Sequence, residues 1–134
     1  TTSREIPAAD FFAANGVRSN VLEDNEVVTE IVLPNQEFKS AFNKYALRNA
    51  IDFAIVNCTV AIDPSGQTAI MLGGVYPAPV RCTSAEDAVK NGINDKSAAE
   101  AGDAAVKDAQ PLANNAYKVE IARTLVKRTL LELA

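Results

Sequence analysis

Val56-Asn57-Cys58-Thr59-Val60-Ala61-Ile62, then Asp63-Pro64-Ser65-Gly66, then Thr68-Ala69-Ile70-Met71-Leu72-Gly73-Gly74-Val75, is the stretch that decides the fold class. Val56, Cys58, Val60 and Ile62 alternate with Asn57, Thr59 and Ala61, the period of a strand with one buried face. This pattern lies within an expected strand over 51–63. Pro64 presets φ and Gly66 supplies an unusual dihedral, so 63–66 reads as a turn. Residues 68–75 then return as the partner strand. The result is a hairpin, and the sheet is at least partly antiparallel.

Toward the N-terminus, 38–47 reads as a second strand with Phe38, Ser40 and Phe42 on one face. Residues 35–37 form a turn before it. Val27, Val28, Ile31, Val32 and Leu33 make a further β-rich run that Pro34 ends. Ala8 to Phe12, after Pro7, supports one short helical turn. Asn15-Gly16 is a turn signal, and the Phe11-Phe12 pair needs burial.

Toward the C-terminus the periodicity becomes helical. Thr83-Ser84-Ala85-Glu86 reads as an N-cap with a capping box between Thr83 and Glu86. That helix runs to about Lys90 and stops at Asn91-Gly92. A second helix starts near Asp95 or Ser97 and ends before Pro111, although Gly102 inside it costs ~1 kcal/mol relative to Ala. A third runs from about Asn115 to Leu133. Ile121, Ala122, Leu125, Val126, Leu130 and Leu133 form its apolar stripe; Glu120, Arg123, Lys127 and Arg128 lie on the other side. Strands followed by helices give an α+β fold: a small, at least partly antiparallel sheet of three to four strands, covered on one face by three helices.

The 134 residues suffice for one ordinary domain, and 48% apolar with 22% charged residues is a globular composition. There is no His, so the chain cannot form a Ser–His or Cys–His catalytic pair. Two Cys, Cys58 and Cys82, are too few for a zinc site or an iron–sulfur cluster, and they read as free thiols of a cytoplasmic protein. A net charge of −4 offers no general attraction for nucleic acid. No apolar run reaches the ~20 residues of a membrane span. The start Thr1-Thr2-Ser3-Arg4 carries neither Met nor a signal-type segment, and the chain is expected to be a piece of a longer protein.

Candidate chemistry is sparse. Gly73-Gly74 lacks the spacing of a phosphate-binding fingerprint. It reads as a strand bending past another backbone, before Pro77 and Pro79 redirect the chain. Lys44 and Arg48 share a strand face with Ala46. They suit either a solvated sheet edge, which the residues alone favour, or contact with an anionic ligand group. Arg48 and Asp52 are also spaced to pair with each other. The basic side of the last helix reads as a solvated face. No carboxylates stand at a spacing that points to acid–base work, so no catalytic residue and no metal ligand is assigned.

The ordered set of short motifs carries more. Arg4-Glu5-Ile6-Pro7-Ala8-Ala9-Asp10-Phe11-Phe12 is followed by Asn25-Glu26-Val27-Val28-Thr29-Glu30-Ile31-Val32-Leu33-Pro34. Next come Ser40-Ala41-Phe42, Lys44, Arg48 and Asp52-Phe53-Ala54. Leu72-Gly73-Gly74-Val75, Pro79-Val80-Arg81, Glu86 and Asn115-Ala116-Tyr117-Lys118 complete the set. In this order the chain resembles the C-terminal domain of the FAD-binding medium subunit of the molybdenum hydroxylases, the family of xanthine, carbon monoxide and nicotinate dehydrogenases.

The resemblance implies that residues 1–20 are the tail of the preceding FAD-binding part and 21–134 the flavoprotein C-terminal α+β domain. It places the family's flavin-contacting Lys on Lys44 and an apolar backbone contact at Val28. At Tyr117 the family's following Arg is replaced by Lys118, which weakens any bidentate contact there. It implies FAD in the intact subunit, with none bound to this piece. The implied partners are the N-terminal FAD-binding parts and the molybdenum and iron–sulfur subunits. The implied role is a non-catalytic part of a cytoplasmic oxidoreductase that passes electrons through FAD to an acceptor. The alternative from another class is a stand-alone α+β interaction module without flavin.

Overall fold

The computed structural model describes residues 2–134; Thr1, the first residue of the expected 1–20 segment, lies outside the described residues. In chain order the elements are α1 (Ala8–Phe11), β1 (Lys39–Tyr45), β2 (Val56–Ile62), β3 (Thr68–Gly73), β4 (Val80–Arg81), α2 (Thr83–Val89), α3 (Asp95–Val106) and α4 (Tyr117–Leu131). The four strands form one sheet in the order β1-β2-β3-β4, and every neighbouring pair is antiparallel. Three helices, α2 to α4, cover one face, as expected for the α+β class. No helix among the described residues is long and apolar enough to cross a membrane.

The β2–β3 hairpin is built as its sequence predicts. Val56, Cys58 and Val60 are buried on one face, and Thr68, Ile70 and Leu72 are buried beside them. The turn closes on Asp63, whose Oδ1 accepts from Ser65 N at 2.9 Å, Ser65 Oγ at 2.6 Å and Gln67 N at 2.9 Å. Gly66 takes φ +85°, which an L side chain tolerates poorly. The Ser65 hydroxyl and the Gln67 N–H hold the Asp63 carboxyl below its ordinary pKa.

The helices meet this face through small residues. Ala85, Ala98 and Ala101 are fully buried, together with Val126 and Leu130 of α4. Burial pushes the thiols of Cys58 and Cys82 up to about 11. Asn94 caps α3 in a capping box: its Oδ1 accepts from Lys96 N at 2.9 Å and Ser97 N at 3.0 Å, and Ser97 Oγ accepts from Asn94 N. Gly102 of α3 lies so close to α4 that a Cβ there would sit 2.7 Å from the Arg123 carbonyl oxygen.

Two expectations are corrected. The run Val27 to Leu33 is no strand: it lies outside every helix and strand, and Val27, Ile31, Val32 and Leu33 are exposed. High β-propensity is a statement about packing on a sheet, and this segment has no sheet neighbour among the described residues. The fourth strand is instead the two-residue β4, which the prolines around it concealed. The capping box at Thr83 also does not form: Cys82 holds the N-cap position, with no side-chain cap. Glu86 is engaged elsewhere, its Oε1 accepting from Ile70 N at 3.0 Å and Arg81 Nε at 2.9 Å. It thereby ties α2 to β3 and β4.

Candidate functional site: the open sheet face and the β1–β2 loop

Alternation along each strand fixes what the uncovered face presents. Register aligns Phe42 of β1 with Thr59, Met71 and Arg81 across the sheet, and Lys44 with Asn57 and Gly73. The opposite parity faces the helices. Asn43 donates from Nδ2 to Thr129 Oγ1 at 3.2 Å and to Glu132 Oε1 at 2.8 Å, tying β1 to α4. Thr129, fully buried, donates in turn to the Leu125 carbonyl at 2.7 Å. Phe42 therefore points away from the core and is 60% exposed, and Leu47, beyond the strand, is exposed as well. Burial of β1 rests on Ala41 and Asn43, a polar anchor that hydrophobic patterning passes over.

Lys44 is exposed and lies on the face opposite the helices. Its ammonium donates to the Asp52 carbonyl oxygen at 3.0 Å. The strand ends at Tyr45, so Arg48 belongs to the loop and does not share a strand face with Lys44. Instead Asp52 organises the loop. Its Oδ2 accepts from Arg48 N at 2.9 Å, and its Oδ1 lies 3.3 Å from Arg48 Nη2. The Arg48 backbone N–H, followed by its guanidinium, holds the Asp52 carboxyl below its ordinary pKa. Between them Ile51 takes φ +47°, an uncommon conformation for a β-branched residue. Ile51 and Phe53 stand 98% and 95% exposed beside this network.

A lowered pKa fixes the sign of the pH dependence. The ionised Asp52 supports the loop above its unfolded value, and that support is lost as pH falls through the folded value. Asp52→Ala is expected to loosen the loop, so that trypsin cuts after Arg48 severalfold faster at pH 8 while the melting temperature changes little. An unchanged cleavage rate would show that the loop is held by other contacts.

Val28 sits in the unpaired 27–33 segment, half exposed at 49%. No strand pairing or hydrogen bond among the described residues joins it to Lys44. Gly74, at φ +76°, brings its backbone against that of Ile55, where a Cβ would sit 2.8 Å from the Ile55 oxygen. Lys118 Nζ donates to the Gly74 carbonyl at 2.8 Å. A single ammonium thus makes the α4-to-loop contact at the position after Tyr117. Two cations on the basic side of α4 are engaged within the fold: Arg123 Nε lies 2.9 Å from Asp103 and Lys127 Nζ 3.4 Å from Asp95, both across to α3, while Arg128 is exposed.

A groove of about 650 Å³ runs between β4, the end of α3 and the start of α4, lined by Val80, Cys82, Ala105, Pro111 and Lys118 among others. It offers no reactive centre. The Cys82 thiol stays protonated at neutral pH, and Lys118 is already bound to Gly74. The exposed cation, strained loop and apolar side chains gather instead at the end of β1.

Residues 41–133, from β1 to just beyond α4, match the family described as the CO dehydrogenase flavoprotein C-terminal domain. The FAD-binding subunit of aldehyde oxidoreductase from Escherichia coli (strain K12) is 28% identical over 134 residues, covering 97% of this chain and 41% of that protein. A putative xanthine dehydrogenase FAD-binding subunit of the same strain is 26% identical over 141 residues, covering 96% and 48%. Among solved structures, carbon monoxide dehydrogenase from Hydrogenophaga pseudoflava is similar at a TM-score of 0.76 and 28% identity, covering 96% of this chain and 47% of that one. Quinoline 2-oxidoreductase from Pseudomonas putida 86 is similar at a TM-score of 0.78 and 25% identity, with the same coverage. The chain spans less than half the length of these relatives. Since the match takes in most of β1, the other three strands and the three helices over them, this chain belongs to the CO dehydrogenase flavoprotein C-terminal domain family.

Proposed function

We propose that this chain is the C-terminal domain of an FAD-binding subunit of a molybdenum hydroxylase. In this reading it packs on the FAD-binding parts and lends them minor flavin contacts. The observation that carries it is the match over 41–133, joined to an exposed Lys44 on the face the helices leave free. The expected division into a tail over 1–20 and a domain over 21–134 belongs to the same reading. Molybdenum and iron–sulfur subunits are the further partners it implies. Bound FAD supplies the electron-carrying chemistry, receiving electrons from the hydroxylase and passing them to an acceptor.

The residues present fit a secondary role toward such a group. Among the described residues the Lys44 ammonium has one acceptor, the Asp52 carbonyl, so it retains donors for a ligand. A cation held there favours the more negative, reduced form of a flavin. Val28 adds an apolar backbone contact. In the intact subunit, Lys44→Ala is expected to weaken affinity for the reduced form five- to thirtyfold, as loss of ~1–2 kcal/mol from one nearby charge implies. Folding should be nearly unaffected. Normal flavin content with an unshifted reduction potential would overturn the assignment of Lys44.

The 134-residue chain alone is expected to bind FAD at most weakly, because no glycine-rich phosphate cradle is found in it and most of the ligand's polar surface would lack partners. Titration followed by flavin fluorescence measures this directly. Submicromolar affinity would contradict it.

A further inference from the structure

We infer that Asn15 is a self-modification site, independently of the flavin role proposed above: its side-chain amide reacts with the backbone nitrogen of Gly16 and is converted to isoaspartate and aspartate. The chain holds two Asn-Gly pairs, Asn15-Gly16 and Asn91-Gly92, and all four residues are exposed. Glycine places no side chain beside the nitrogen that must attack. The fold treats the two pairs differently.

Asn15 and Gly16 sit at the tip of a small hairpin over 11–21. Its legs are tied by Ala13 N donating to the Ser19 carbonyl at 3.1 Å, by Val21 N donating to the Phe11 carbonyl at 3.0 Å, and by the antiparallel bridge from Phe12 to Asn20. Within the tip, Asn15 Oδ1 accepts from Val17 N at 3.1 Å and from Arg18 N at 2.9 Å. Both partners are donors, so the oxygen arm of the amide is the one that faces them. Two backbone N–H groups at this range polarise the carbonyl and stabilise the negative charge its oxygen takes up when a nucleophile adds to the carbon. The nucleophile is free as well. Among the described residues Gly16 N donates to no acceptor, and a Cβ on Gly16 would meet no atom within 4 Å. At the second pair the nitrogen is occupied: Gly92 N donates to the Val89 carbonyl at 2.9 Å, at the end of α2.

The chemistry needs only water. Gly16 N gives up its proton and bonds to Asn15 Cγ, closing a five-membered imide, a ring closure favoured because both groups belong to one residue pair. The Cγ–Nδ2 bond breaks, and Nδ2 leaves as ammonia with that proton. Water then opens the ring. Cleavage between Gly16 N and the Asn15 main-chain carbonyl leaves isoaspartate, and cleavage of the new bond leaves aspartate. Either product places a carboxylate in the tip, next to the pair that Arg18 forms with Asp24.

The test is to age the 134-residue chain in mildly alkaline buffer, folded and in guanidinium chloride, and to follow the tryptic peptides 5–18 and 91–96 by mass, each holding one Asn-Gly. Unfolded, the two sites are expected to react at similar rates. Folded, Asn15 should react at least as fast as when unfolded. Asn91 should slow on the order of tenfold, the factor that one hydrogen bond on the attacking nitrogen supplies. Enzymatic methylation specific for isoaspartate should label peptide 5–18 of the aged folded chain. Folding that slows Asn15 as much as Asn91 would overturn the inference, because the tip would then protect its amide. Conversion of Asn15 to aspartate with no isoaspartate would overturn it too, because the amide would then have been hydrolysed directly and not through Gly16.

Discussion

Leu130→Ala is expected to destabilise the domain by about 2–5 kcal/mol, the range for emptying a fully buried leucine site. Leu130 is 0% exposed in the core cluster, and Leu125, five residues earlier, is 7% exposed. Both lie on the stripe of α4 that packs against β1 and β2. The cost has two parts: loss of the transfer free energy of the removed atoms, and a cavity that the neighbours only partly collapse into. Here collapse is limited. Thr129 beside it is locked by hydrogen bonds to Leu125 and Asn43, and Val126 is already fully buried. A single domain holds about 5–15 kcal/mol in all, so this one change removes a large share of it. Urea unfolding should show a lower midpoint at an unchanged slope. A shift below about 1 kcal/mol would mean that Leu130 is not packed against the sheet. Leu125→Ala should fall in the same range, toward its lower end.

Gly102→Val is expected to be the most damaging single substitution at the helix–helix contact, lowering stability by about 1–3 kcal/mol or more through overpacking. Any Cβ at 102 meets the Arg123 backbone oxygen at 2.7 Å, and a backbone atom cannot swing aside as a side-chain tip can. The ion pairs Arg123–Asp103 and Lys127–Asp95 cross the same interface, so separating α3 from α4 strains them as well. Gly102→Ala tests the cause. Helix propensity alone predicts a gain of ~1 kcal/mol. Close approach predicts a net loss. A raised melting temperature for Gly102→Ala would show that the interface relaxes at little cost.

The two substitutions separate what was legible in the residues from what was not. The stripe containing Leu130 is visible as helical periodicity, and so is the alternation of Val56, Cys58 and Val60. In both cases one face meets water and the other the core, which imprints the period on the sequence. Gly102 was legible only as a blemish in a helix. Its purpose, letting two backbones approach, depends on residue 123, which is distant in sequence. Lys44 is similar. Its charge was visible, but only the strand parity fixed by Asn43 reaching Thr129 shows which face it occupies.

By itself the sequence determined the α+β class, the 63–66 turn, the helices and their approximate ends, since each rests on local dihedral preference or on periodic burial. Its ordered motifs also carried the family resemblance. Tertiary structure decided the rest. It left 27–33 unpaired despite strong β-propensity, because a strand exists only where an edge accepts its hydrogen bonds. It made a strand of the two residues Val80–Arg81, because β3 presented such an edge and Glu86 pinned Arg81 beside it. It turned Phe42 outward and Asn43 inward, because burial in β1 was set by a hydrogen bond to α4 and not by hydrophobicity.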